Sequence, residues 1–117
     1  MLKKQNRINK KSDFDRFFGL GFKRLGGQNI SSPGLILKVL PKEQGATRVG
    51  LIVNNKIDNR ATFRNRIKRQ IRETVRLNLN KAKVPLDLLF VAQTGIKNMK
   101  NEEIRNEVLK LLTRVLK

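Results

Sequence analysis

Histidine, cysteine, tryptophan and tyrosine are all absent from the 117 residues. Without Cys there are no disulfides, and without His or Cys the usual ligands of a structural zinc site are missing. The side chains that most often act as general base and as nucleophile near neutral pH are missing with them. Acids are scarce as well: nine Asp and Glu, at positions 13, 15, 43, 58, 73, 87, 102, 103 and 107, stand against 27 Lys and Arg. Protein-borne nuclease chemistry would need carboxylates clustered around metal ions, and only Asp13 with Asp15 and Glu102 with Glu103 are close along the chain. Each pair falls where a helix is expected to begin, where negative charge complements the helix dipole. No catalytic residue and no metal site is therefore expected on the protein. No run approaches the roughly 20 apolar residues that span a bilayer. The opening Met-Leu-Lys-Lys-Gln-Asn-Arg-Ile-Asn-Lys-Lys is basic without the apolar stretch of a signal peptide. A cytoplasmic protein with no membrane partner is the expectation.

Positive charge dominates what is present. The formal net charge is +18, a self-repulsion that a polyanionic partner would relieve, and nucleic acid is the first candidate. Apolar residues make up 38% of the chain, with recurrent Leu, Ile and Val, so this is a folded protein rather than a basic disordered tail. Its length suits one domain with a real core. The expected organisation is a single RNA-binding domain over 1–117, in which residues 1–11 form a basic N-terminal segment free to be flexible.

Ser12 followed by Asp13-Phe14-Asp15 has the form of a capping box and predicts a short first helix. Phe14, Phe17 and Phe18 would share one side of it, with Phe17 assigned to the core. Gly19, Gly21 and the Gly26-Gly27 pair should then end regular structure. Residues 35–40, apolar except for Lys38 and bracketed by Pro33-Gly34 and Pro41, predict a strand; residues 48–54 predict another. The segment 41–47 between them contains Gly45 and reads as a hairpin loop, making the two strands antiparallel neighbours. Residues 86–92, dense in Leu, Phe and Val with one Asp, predict a third, mostly buried strand closed by Gly95. Asn101 with Glu102 and Glu103 reads as an N-cap and acidic first turn of a final helix. Ile104, Val108, Leu111, Leu112 and Val115 form its apolar stripe, with Arg105, Lys110, Arg114 and Lys117 outside. The order α-β-β-α-β-α defines an α+β single-domain sandwich, a small mixed sheet packed by helices.

Between the second and third strands lies the most informative stretch. Phe63, Ile67, Ile71 and Val75 recur every four residues, the spacing of one buried face of an α-helix. Arg60, Arg64, Lys68, Arg72 and Arg76 recur at the same interval one position on, a second stripe roughly 100° around the helix with charges about 6 Å apart along the axis. Such a ladder suits a nucleic-acid backbone. Asn65, a weak helix former, sits inside it. The helix can also serve as the crossover of a parallel β-α-β unit.

Arg64-Asn65-Arg66-Ile67-Lys68-Arg69, with Arg72 one turn later, resembles the signature of bacterial ribonuclease P protein subunits. Arg48-Val49-Gly50-Leu51 resembles that family's strand before it, followed by Lys56, and Asp13-Phe14 with Phe18 resembles its aromatic first helix. Leu86-Asp87-Leu88-Leu89-Phe90-Val91-Ala92 and the closing helix also fall where the family has them. The resemblance implies a ribosomal protein S5 domain 2-like fold with a left-handed β-α-β crossover, against the general right-handed preference. It implies a role as well. The protein would join a catalytic RNA, and the ribonucleoprotein would remove the 5′ leader of precursor tRNA by endonucleolytic cleavage. The RNA would carry out the hydrolysis with bound Mg2+, and no protein oligomer would be required. Arg60, Arg64, Asn65, Arg66, Lys68, Arg69 and Arg72 would face the catalytic RNA, while Phe14, Phe18, Lys38 and Lys56 would hold the leader. Two departures stand out: Asn55 replaces a lysine common before Lys56, and Lys38 lies where some members carry an aromatic residue.

Two other readings share this composition. A structural RNA-binding protein of the ribosome would need the same charge and no turnover. A nucleoid protein coating DNA would be expected to carry a helix-turn-helix or a minor-groove arm, and neither is recognisable.

Overall fold

Described over residues 2–82 and 84–116 in a computed structural model, the chain runs through α1 (Lys11–Asp15), α2 (Leu20–Arg24), β1 (Gln28–Ser31), β2 (Leu35–Pro41), β3 (Arg48–Ile52), α3 (Ala61–Asn78), β4 (Leu86–Ala92) and α4 (Asn101–Val115). Lys117, expected on the outer side of the last helix, lies outside the described residues. The most apolar strand takes the middle of the sheet: six of the seven residues of β4 are buried. A strand buried on both faces needs a partner along each edge. β4 accordingly pairs antiparallel with β2 and parallel with β3, in the order β1-β2-β4-β3.

That order corrects the expected hairpin. The strands on either side of the 41–47 loop are not neighbours, because β4 inserts between them. The loop therefore spans a strand's width instead of making a tight return. The parallel β3-α3-β4 unit is present as expected. A further strand, β1, pairs antiparallel with β2. Its Gln-Asn-Ile-Ser carries one apolar residue and gives no periodic signal. The observed order is thus α-α-β-β-β-α-β-α. Of the glycines after Phe18, Gly21 lies inside α2 and Gly19 precedes it, whereas Gly26 and Gly27 follow its end as expected.

Two caps also differ from expectation. Ser12 lies inside α1, whose N-cap position is Lys10, and no side chain caps that helix. Helix α4 starts one residue earlier than read: Lys100 is at the N-cap position, and its backbone N–H donates to the Glu103 carboxylate at 3.0 Å.

Strand alternation sorts the core. Leu35, Leu37 and Val39 of β2, with Leu86, Leu88 and Phe90 of β4, face Ile67, Ile71 and Val75 of α3 and Ile104, Val108, Leu111 and Leu112 of α4. The remaining strand positions point to the other face, where Leu40 and Leu89 meet Ile8, Phe17 and Phe22 in a smaller cluster. At the turn into β2, the Gly34 N–H donates to the buried Glu107 of α4 at 3.0 Å. A Cβ on Gly34 would stand 2.9 Å from the Met99 methyl and 3.1 Å from the Glu107 carboxylate, so a side chain there would force both to shift.

The basic N-terminal segment is seated along β3. Arg7 bridges Val49 in parallel, the Ile8 N–H donates to the Val49 carbonyl at 2.9 Å, and Asn6 Nδ2 donates to the Thr47 carbonyl at 2.8 Å. Leu2 and Ile8 are buried on either side of the bridge. Among the described residues, no helix is long and apolar enough to cross a membrane.

Candidate nucleic-acid interface

Successive residues four apart on an α-helix drift by about 40°. The cations at 60, 64, 68, 72 and 76 therefore wind around α3 instead of forming one straight ladder, and their environments differ. Arg60, just before the helix, makes a two-pronged pair with Asp58 at 2.9 and 2.8 Å. Hydrogen bonds from the side chain and backbone of Arg60 hold the Asp58 carboxyl well below the usual carboxylate range. Arg64 Nη1 donates to the carbonyls of Asp58 and Asn59 at 2.9 and 2.8 Å. Arg76 pairs with Glu73 at 3.0 Å.

Arg66 leaves by the opposite flank, where it donates to Asn101 Oδ1 at the start of α4. Its guanidinium lies 4.8 Å from the centre of the Phe63 ring, and that of Arg60 lies 5.2 Å from the same ring. Four of the seven residues expected to face the catalytic RNA are left without such bonds among the described residues: Asn65, Lys68, Arg69 and Arg72. Asn65, Arg69 and Arg72 line a cavity of about 580 Å³. Lys68 and Arg72 line a smaller one of about 230 Å³ beside Phe14 and Gly50.

The sheet face away from α3 forms the second surface. Its floor is Ile36, Ile52 and Val91, all half-buried and aligned across three strands. Phe18, beyond the end of α1, is 48% exposed, whereas Phe17 is 1% exposed and belongs to the core as expected. Lys38 Nζ lies 5.1 Å from the centre of the Phe18 ring and 5.0 Å from that of Phe22, and it donates to Asn29 Oδ1 at 3.1 Å. Phe18 and Lys38 thus meet on this face. Phe14 is half-buried over Gly50, where a Cβ would stand 2.9 Å from its ring. Glycine at that strand position lets the ring lie close on the sheet. Lys56 is exposed in the turn after β3.

An ion cluster that sequence reasoning missed holds this surface together. Asp87, buried on β4, accepts from Arg48 at 3.0 and 2.8 Å and from Lys42 at 3.2 Å, with Arg16 at 3.7 Å. Arg48 reaches Asp13 of α1 at 3.2 Å as well. Asp13 adjoins Phe14, so the pair fastens the aromatic helix to the sheet. Burial works to raise the Asp87 carboxyl, but the hydrogen bonds from Arg48 and Lys42 outweigh it and hold the group below its ordinary value. The same bonds push the Arg48 guanidinium up. The available signal was Asp87 itself, the one charge in an otherwise apolar strand.

An apolar floor edged by lysine and phenylalanine, next to a helix with uncommitted cations, in a chain of net charge +18, makes a surface suited to a polyanion. The family model described as Ribonuclease P matches residues 2–116. The chain is 35% identical over 115 residues to the ribonuclease P protein component of Clostridium novyi, covering 97% of this chain and 96% of that one. It is 32% identical over 111 residues to the component from Herpetosiphon aurantiacus, covering 95% and 85%. The solved structure of Staphylococcus aureus RNase P protein matches with a TM-score of 0.80 at 28% identity, covering 97% of this chain and all of that one (100%). The chain belongs to the ribonuclease P protein family.

Proposed function

We propose that this chain is the protein subunit of a ribonucleoprotein endoribonuclease that removes the 5′ leader of precursor tRNA. The family match over residues 2–116 carries the reading. Helix α3 seats the protein on the ribonuclease P RNA through Asn65, Lys68, Arg69 and Arg72, with Arg60, Arg64 and Arg66 shaping and adding charge to the same surface. The leader lies across Ile36, Ile52 and Val91, with Phe18 and Phe14 offering ring faces and Lys38 and Lys56 meeting phosphates. Rings stack on bases of any identity, so leader recognition is tolerant of sequence. Hydrolysis would belong to the RNA, with Mg2+ that the RNA itself would hold.

The carboxylates of Asp13, Asp58, Asp87, Glu103 and Glu107 are engaged in ion pairs or backbone hydrogen bonds, which supports a binding role for the protein. One copy of the chain suffices, and the cytoplasm is where precursor tRNA is met. The ribosomal alternative is not favoured by the family match. Adding the chain to a bacterial ribonuclease P RNA at low magnesium is expected to restore cleavage of precursor tRNA. Absence of stimulation, with selective retention of ribosomal RNA fragments instead, would replace this reading with the ribosomal one.

A further inference from the structure

The docked N-terminal segment changes the shape of the α3 surface. Leu2, Arg7 and Arg72 line both the 230 Å³ and the 580 Å³ cavities, so Arg7 of the segment and Arg72 of the helix border the same two hollows. The position of Arg7 is fixed from both sides: Leu2 and Ile8 are buried, at 5% and 6% exposure, and the backbone of Arg7 bridges Val49. Yet its side chain is exposed. Neither guanidinium has a hydrogen bond or ion pair with another described residue. Glu73, which lines the larger cavity, is paired with Arg76 at 3.0 Å.

Two uncommitted guanidinium groups facing shared cavities repel each other, and an anion between them removes that cost. Guanidinium forks match the geometry of phosphate oxygens. The other side chains of the larger cavity, Asn65 and Arg69, come from α3, which places the strand bearing that phosphate on the helix side and away from Phe18 and Lys38.

We propose that Arg7 and Arg72 clamp one phosphodiester of the catalytic RNA, with the N-terminal segment as the second jaw of a site that α3 alone leaves open. This rests on the reading of α3 as the RNA-docking face and adds a residue from a different element to it. A clamp on a single phosphate has a thermodynamic mark: removing either jaw breaks the same contact, so the two losses do not multiply.

The test is binding of the full chain to ribonuclease P RNA, comparing Arg7→Ala, Arg72→Ala and the double variant. Each single change is expected to weaken binding about tenfold, in line with loss of a charge-assisted hydrogen bond. The double should be no more than about twice as weak as the worse single. Arg7→Lys, which keeps charge but not the fork, should recover part of the loss. The Tm of Arg7→Ala should match that of the unaltered chain, since the guanidinium makes no internal bond. Unchanged binding by Arg7→Ala, or a double variant weakened about a hundredfold, would overturn the clamp. So would a loss seen only with leader-bearing precursor tRNA on the assembled holoenzyme, which would give the phosphate to the leader. Failure of the unaltered chain to bind the RNA would instead overturn the parent reading.

Discussion

The two faces of the sheet are made by alternate residues of the same strands, and they obey different rules. On the helix side, Leu35, Leu37, Leu88 and Phe90 are fully buried, and no polar residue of β2, β3 or β4 lies among them. On the other side the same strands present Lys38, Asp87, Arg48 and Gly50 among half-buried Ile36, Ile52 and Val91. A face built only for stability would not hold a carboxylate among cations, nor a glycine whose missing Cβ admits a ring. On the reading proposed above, the first face sets how firmly the protein folds and the second sets what it can hold. Mutations on neighbouring residues should therefore separate folding from binding.

The largest separation is expected at Leu88, which points into the helix-side core. Leu88→Ala should cost about 2 to 5 kcal/mol of stability from lost burial and the cavity left behind, read as a lower denaturant midpoint. RNA affinity measured well below the new midpoint should stay unchanged. A variant that folds normally but binds poorly would break the division between the faces.

Asp87 comes next, because it belongs to the binding face yet is buried. Asp87→Asn removes the charge and leaves Arg48 and Lys42 facing a neutral amide. Removing one partner of a buried pair costs about 3 to 5 kcal/mol, and the Arg48 side chain is still 25% exposed, so about 2 to 3 kcal/mol is expected here after screening. Its pH dependence has a definite sign. The carboxyl is held below its ordinary value, so its stabilisation is complete above the unfolded value near pH 4 and is lost as pH falls through the lower folded value. Urea midpoints for the unaltered chain and Asp87→Asn should therefore converge below about pH 4. Parallel curves down to about pH 2, past the range in which carboxylates ordinarily titrate, would show that the charge contributes nothing.

How far the sequence carried this picture depends on the range of the interactions involved. Helix α3, with its Phe63-Ile67-Ile71-Val75 face, the crossover to β4, and α4 were legible because each is written in local periodicity. The partition between Phe17 and Phe18 was legible only in part, since both lie past the end of α1, where helical spacing no longer applies. Strand order was misread because a short loop argues for a hairpin. The competing argument, that a strand as apolar as 86–92 must have neighbours on both edges, involves residues far apart along the chain. The Asp87-Arg48-Asp13 cluster was missed for the same reason. The regular spacing of the cations at 60, 64, 68, 72 and 76 concealed their different partners: the 58–59 loop for Arg60 and Arg64, and Glu73 of α3 itself for Arg76.

At Phe18 the binding face can be probed with little effect on folding. The ring is about half exposed, so Phe18→Ala should leave stability nearly intact. It should weaken precursor tRNA binding by about 1 to 3 kcal/mol if a base stacks there. Mature tRNA should bind the holoenzyme as before. Equal weakening of both substrates would reassign Phe18 to the support of Lys38 and Phe22, and the open face would lose its ring.

The smallest effects lie within α3, where the comparison can be repeated on one helix. Lys68 and Arg69 make no internal bonds among the described residues, so Ala at either site should flatten the plot of log affinity against log salt by roughly 0.7 to 0.9 for each phosphate that is no longer neutralised. Tm should not move. Arg66 is different, because it donates to Asn101 where α4 begins. Arg66→Ala should flatten the same plot and also cost about 1 kcal/mol of stability through the missing hydrogen bond. An Asn101→Ala change should reproduce the stability loss alone, since Asn101 carries no charge for the RNA to read. If Arg66→Ala changes Tm but leaves the salt slope untouched, Arg66 braces the two helices and the RNA-facing part of the block narrows to the outward side of α3.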